Sequence, residues 1–346
     1  MPTASKKPLK IAVCGLGFMG STHLKALKNV KEAELVAVVS DVPEKLTGDL
    51  SAIQGNLGGP GEKWDFSHLK KYNNVYDAIR DKDIDAVDLC LPTHLHKPVT
   101  IEALRAGKHV LVEKPMALDG AECDEMVEEG EESGRVLMVA QVLRFFPEYV
   151  ALRETLRSKT LGELRAAIFR RRCAGPTWQR WVYDKSRSGG GVFDLVIHDV
   201  DFCLQVFGQP EAISAVGYEK LENGVDWLTG TLYYPNIPGG IVIQGGWHHP
   251  KTFPFSMEYS VVADGATLEY SSAGRPATQY NADGEKPIDV KQQDGYEAEL
   301  RYFAECCTEG KKPELCPPSE SSLAVKLCLA LVAARGENGK RLEWKG

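Results

Sequence analysis

The chain has 346 residues, 43% hydrophobic and 26% charged, the composition of an ordinary globular protein with material for about two domains. Its net charge of −7 argues against a nucleic-acid groove or a membrane surface as partner, since both attract basic patches, and no stretch approaches the ~20 apolar residues of a membrane span. The nine cysteines show no CxxC spacing, and several sit in apolar runs (Cys14, Cys90). They read as reduced, buried thiols of a cytoplasmic protein, an expectation to which the polar segment Met1–Lys10, with no signal-peptide core, adds.

In chain order, 9–14 reads as a buried strand, 19–30 as a helix and 34–40 as a second strand. The Gly-rich stretch 48–64 reads as a surface insertion. Strand 85–91, helix 97–106, strand 109–112, helix 119–133 and strand 136–140 follow. Near-continuous apolar strands alternating with helices predict a doubly wound parallel sheet of Rossmann type over 1–140. Beyond that point strand-like runs succeed one another at 164–172, 211–217, 226–234, 240–247, 256–263 and 266–271. With helices at 191–207 and 319–334, they predict a second domain over 141–346, of α+β type with a large, mostly antiparallel open sheet.

Gly15, Gly17 and Gly20, with Phe18 and Met19 between them, form GxGxxG between a strand and a helix. Such a turn lets backbone approach a pyrophosphate and lays it on a helix N-terminus, where free N–H groups favour anions. Asp41 follows at the end of the second strand, where an acid accepts from a ribose 2′-hydroxyl and repels a 2′-phosphate. No arginine adjoins it, so NAD is the expected cofactor; Lys45 leaves NADP open. The run HVLVEKPMA delivers Glu113, Lys114 and Pro115 at a strand's carboxyl end, where ligands bind in parallel sheets. In SGGGVFDLVIHDVD, the spacing of Asp194, His198 and Asp201 puts them on one helical face, and a carboxylate one turn from a histidine can orient its ring. A surface role is the alternative for Lys114, and for the helix stripe a solvent-facing or inter-domain role accounts equally well. His94 and His96 lack acidic or cysteine partners at ligand spacing, and His248 and His249 point to opposite strand faces, so no metal is expected. Trp178, Arg180, Trp181, Tyr183 and Arg187 make an aromatic and basic cluster, and Trp247 ends another strand with His248 and His249; such flat faces suit a sugar ring.

Taken together, GLGFMGSTHLKAL at 15–27, LPTHLHKPVTIEALRAGKHVLVEKPMAL at 91–118, LRFFPEY at 143–149 and SGGGVFDLVIHDVD at 188–201 resemble the glucose–fructose oxidoreductase / inositol dehydrogenase / MocA family. The resemblance implies an NAD(P)-binding first domain and a substrate-binding second domain that also builds a homodimer or homotetramer. It implies hydride transfer between nicotinamide and the alcohol or ketone carbon of a sugar, polyol or glycoside. Lys114, Asp194 and His198 would be the catalytic and substrate-binding group, with His198 as acid/base. Pro92, Thr93, His96, Glu113 and Gln141 would line the cofactor, and Arg144 would join Trp178 and Trp181 at the substrate. A cis Lys114–Pro115 peptide is also implied. The same residues would suit redox-neutral glycoside cleavage through transient oxidation; a non-catalytic NAD-binding regulator is the alternative of another class.

Overall fold

A computed structural model describes residues 7–55, 61–177 and 180–346. The chain forms two compact units. One runs to Val142 and regains Gln293–Ser322; the other comprises Leu143–Gln292 and Leu323–Gly346. The texture change near residue 140 coincides with the first crossing between them. The return of 293–322 to the first unit differs from a simple two-part division, and it carries the helix Gly295–Glu309.

In the first unit, β1 (Leu9–Cys14), β2 (Ala33–Val39), β3 (Lys70–Tyr72), β4 (Ala86–Leu89), β5 (His109–Glu113) and β6 (Leu137–Ala140) form one parallel sheet in the order β3-β2-β1-β4-β5-β6. Helices cover both faces of such a sheet, so its central strands are largely apolar, and Ala12, Val13, Val110 and Leu111 are wholly buried. The strand order reverses between β1 and β4, which puts the ligand-binding crevice outside their carboxyl ends. Local chemistry sets the helix boundaries. Asp119 caps Gly120–Ser133 by accepting from the N–H groups of Ala121 and Glu122, and left-handed Gly134 ends it. The expected insertion closes on itself through Trp64 N–H to the Gly48 carbonyl (2.9 Å), burying Leu50 and Phe66. Residues 56–60 within it lie outside the described residues.

In the second unit, β7 (Leu164–Cys173), β8 (Ala212–Lys220), β9 (Val225–Tyr234), β10 (Ile237–Trp247), β11 (Ser256–Ala263), β12 (Thr267–Ser271), β13 (Arg275–Asn281), β14 (Gly284–Pro287) and β15 (Leu342–Glu343) form the order β14-β13-β12-β11-β7-β10-β9-β8-β15. Among these pairs only β7 with β10 is parallel, so the expected open, mostly antiparallel sheet is present. One face carries Phe169, Leu228, Ile243 and Tyr259, all buried. Phe202, on the helix Ile197–Phe207, packs against Phe169 on this face. The register puts Ile168, Val216, Tyr218 and Val262 on the opposite face, and each is 40% exposed or more.

Several elements carried no sequence signal. β13 and the edge strand β14 are polar and β15 has two residues, so none shows the alternation of a half-buried strand. The expected helix 191–207 has two parts: a π-helical turn at Val192–Val196, then the α-helix Ile197–Phe207. Among the described residues no helix is long and apolar enough to cross a membrane.

Candidate active site

The glycine turn closes at the carboxyl end of β1. Gly15 has φ +101°, and a Cβ there would lie 2.3 Å from the Cys90 carbonyl oxygen at the end of β4. A Cβ on Gly20 would come 1.9 Å from the Gly15 carbonyl, so the turn and the helix Phe18–Leu27 close together only with glycine at both positions. Gly17 precedes that helix, and neither a side-chain cap nor an acidic residue occupies its first turn. Its positive end therefore suits an anion, and the turn fits a dinucleotide pyrophosphate. Phe18 and Met19 are half-exposed, and the Phe18 ring lies against Gly55.

Gly15 N–H donates to the Val39 carbonyl at 2.9 Å, tying the turn to the end of β2. Asp41 stands two residues on, exposed, beyond buried Ser40, whose hydroxyl accepts from Val42 N–H at 3.1 Å. A carboxylate at that edge fits a ribose diol.

On β4 and β5 the chain leaves the same edge through two linked turns. Pro92 and Thr93 lead into the helix His96–Arg105. His96, expected beside the cofactor, is held by two backbone carbonyls. Its ring is 1% exposed, with Nε2 at 2.8 Å from the Leu91 carbonyl and Nδ1 at 2.8 Å from the Pro115 carbonyl. It braces the two turns against each other. Burial lowers its pKa, opposed by these carbonyls.

Glu113 ends β5 with its carboxylate turned inward: Oε2 accepts from Lys114 N–H at 3.0 Å, and Oε1 faces His23 Nε2 at 3.3 Å. Lys114 follows, half-buried, and its peptide to Pro115 is cis. After β6, Gln141 is 1% exposed, and among the described residues neither end of its amide has a hydrogen-bond partner. An orphaned buried amide costs about 1–3 kcal/mol, so the residue fits a polar ligand group that completes it.

Sequence reasoning passed over His23 and Asp88. His23 is fully buried on the helix after the glycine turn, its Nδ1 at 2.8 Å from Asp88 Oδ2 and 3.5 Å from Cys90 Sγ. Burial alone disfavours the charged ring, but Asp88 and Cys90 outweigh it and hold the imidazole well above its usual range. The same surroundings push the Cys90 thiol up, burial first and Asp88 next. The available signal was a charged residue inside the otherwise apolar strand AVDL.

In the second unit, Asp194 lies in the π-helical turn, and its Oδ2 accepts from the Trp247 indole N–H at 3.1 Å. His198 is half-buried in the next turn. The expected stripe of three divides at Asp201, which is buried and takes two bonds from Arg144, at 2.8 and 2.6 Å. Arg144 is 1% exposed and pairs with Asp201 in a buried ion pair. Asp199, unremarked in the sequence, makes a parallel pair with Arg171 at 3.1 Å, burial raising its pKa against the guanidinium. Trp247 is wholly buried and unavailable to a sugar face, whereas Trp181 is partly buried and packs beside it with Tyr183. Trp178 lies outside the described residues.

Residues 9–141 match an oxidoreductase family with an NAD-binding Rossmann fold, and residues 149–269 match the GFO/IDH/MocA C-terminal domain. The chain is 38% identical over 178 residues to trans-1,2-dihydrobenzene-1,2-diol dehydrogenase of Mus musculus, covering 51% of this chain and 52% of that one. It is 31% identical over 202 residues to myo-inositol 2-dehydrogenase of Thermotoga maritima, covering 58% and 55%. These matches span about half the length of those relatives. In fold, the chain is similar to an aldose-aldose oxidoreductase from Caulobacter crescentus solved with glycerol, with TM-score 0.81, 23% identity and coverage of 97% and 100%.

Proposed function

This chain belongs to the GFO/IDH/MocA oxidoreductase family, and on that premise we propose that it is an NAD-dependent dehydrogenase or reductase acting on a secondary alcohol of a sugar or cyclic polyol. The observation that carries the reading is the shared edge of one parallel sheet. The glycine turn leaves β1 and Lys114 leaves β5, on either side of β4. The backbone of Gly15–Gly20 would hold the pyrophosphate, Asp41 the adenosine ribose, and Gln141, Pro92 and Thr93 the nicotinamide end. Asp41, with no arginine beside it, favours NAD over NADP.

The nicotinamide ring, when bound, supplies the hydride acceptor or donor. The protein handles the proton. Lys114 binds the hydroxyl oxygen and stabilises the alkoxide that develops as its proton leaves. His198 takes that proton, and Asp194 orients the imidazole or binds a neighbouring hydroxyl. Trp181 offers an apolar face to the ring. The names of two relatives, a dihydrodiol and an inositol dehydrogenase, favour a ring carbon flanked by a second hydroxyl. The exposed sheet face around Ile168 and Val262 supports self-association, and nine cysteines without a disulfide support a reducing, cytoplasmic setting.

The test is NADH formation over a panel of aldoses, inositols and aryl glycosides. Wild-type protein should reduce NAD with at least one polyol. Lys114→Met and His198→Asn should each lower kcat by about 10²–10⁴-fold while the NAD Kd holds. Cleavage of an aryl glycoside without net NADH would replace this reading with redox-neutral elimination. Tight NAD binding with no turnover on any compound would leave a regulator.

A further inference from the structure

Beneath the glycine turn lies a buried group of titratable side chains that the reaction above does not use. His23 stands between two carboxylates from different strands. Its Nδ1 is 2.8 Å from Asp88 Oδ2, and its Nε2 is 3.3 Å from Glu113 Oε1, an ion-pair contact without the alignment of a hydrogen bond. Cys90 Sγ lies 3.5 Å from Nδ1 and 3.6 Å from Asp88 Oδ1, and the Tyr296 ring, on Gly295–Glu309, is centred 6.1 Å from the imidazole. His23 and Asp88 are both 0% exposed and Glu113 is 5% exposed.

Resting on the proposed function, we infer that His23 is a positioning residue: a buried imidazolium that holds the Glu113 carboxylate inward and, through it, sets the backbone of Lys114. A buried carboxylate without a positive or donor partner is strongly unfavourable. An imidazolium offers one N–H to each carboxylate, whereas a neutral ring turns a lone pair towards one of them. The raised affinity of this ring for its proton agrees with the doubly protonated form.

The consequence reaches Lys114 by one bond. Glu113 Oε2 accepts from Lys114 N–H at 3.0 Å, fixing the direction in which the chain leaves β5. His96 holds the other side of the same turn through the Pro115 carbonyl. Lys114 thus departs from a backbone braced by two buried histidines, one acting through a carboxylate and one through a carbonyl.

Among the described residues, His23, Asp88 and Cys90 also form a group whose donor atoms lie within 4.8 Å of one another, the arrangement of a metal site. The Nδ1–Oδ2 separation suits a shared proton better than an ion. Two tetrahedral ligands each about 2.0–2.1 Å from zinc stand about 3.3 Å apart, and the observed 2.8 Å is a hydrogen-bond length.

Two substitutions separate the contacts, because the asparagine amide nitrogen mimics Nδ1 and the glutamine amide nitrogen mimics Nε2. His23→Gln keeps a donor for Glu113; His23→Asn keeps one only for Asp88. With NAD and the polyol found active, H23Q should lower kcat by about tenfold and H23N by about 100-fold, at matched Tm and unchanged NAD Kd. Amide exchange at Lys114 should quicken in H23N and stay near wild type in H23Q. Equal losses in both variants, or full activity in both, would overturn the role. Nitrogen NMR of the wild-type ring needs no substrate. It should show both nitrogens protonated at pH 8; a neutral ring at pH 7, or stoichiometric bound zinc in the purified protein, would also overturn it. Absence of turnover in wild type would instead strike the proposed function, leaving the exchange and NMR results to stand on their own.

Discussion

Trp247 donates its indole N–H to the Asp194 carboxylate at 3.1 Å while the tryptophan itself has no contact with water. The ring is wedged beneath the turn before the helix: a Cβ on Gly191 would meet it at 3.0 Å, and Tyr183 packs edge-on at 5.6 Å. One buried side chain therefore shapes the glycine turn and aims the acid that follows it.

Trp247→Phe tests that aim. It keeps a flat apolar ring and removes the donor. A hydrogen bond to a charged group contributes about 1.5–3 kcal/mol, so kcat should fall about tenfold or more. Steady-state kinetics beside thermal unfolding checks it. Unchanged turnover in a folded variant would remove Asp194 from the reaction.

Arg144 and Asp201 make the opposite prediction. Arg144→Met leaves a carboxylate buried without its partner, at a cost of about 3–5 kcal/mol. Urea unfolding should show that loss, substrate KM should be unchanged in the folded protein, and Asp201→Asn added to it should recover part of the stability. A raised KM at wild-type stability would return Arg144 to the substrate.

Cofactor choice turns on Asp41. Asp41→Ser removes the ribose acceptor and the charge that repels a 2′-phosphate. The ratio of kcat/KM for NAD over NADP should drop by about tenfold, equivalent to about 1.4 kcal/mol. An unchanged ratio would place the discrimination elsewhere, with Lys45 next to examine.

His23 predicts how stability depends on pH. The free ring titrates near 6.5, and in the folded protein burial is outweighed by Asp88 and Cys90, so the value is raised. Between those two values the folded state holds a proton that the unfolded chain has released. The contribution is complete below about pH 6.5 and is lost as pH rises through the folded value. Denaturation between pH 6 and 9 should show wild type weakening with pH more steeply than His23→Gln. Parallel curves would mean a neutral ring.

How far each feature could be read follows from the range of the interaction that makes it. The Rossmann sheet declared itself because a strand covered on both faces must be apolar along its length, as Val110–Val112 are. The polar outer strands β13 and β14 had no such requirement and left no pattern. The stripe through Asp194, His198 and Asp201 followed from a constant 3.6-residue period; the π-helical turn at Val192–Val196 alters the step from Asp194 to His198, and Asp201 leaves the group because Arg144 binds it.

By itself the sequence determined two things here: where backbone must be bare, at Gly15 and Gly20, and which strands must be dry. Both are short-range consequences of sterics and solvation. Only the tertiary structure decided which buried charges answer one another. Asp88 meets a histidine 65 residues away and Asp201 an arginine 57 away, and Gln141 is left without a partner among the described residues. Charge pairing depends on distance in space, and no periodicity along the chain encodes it.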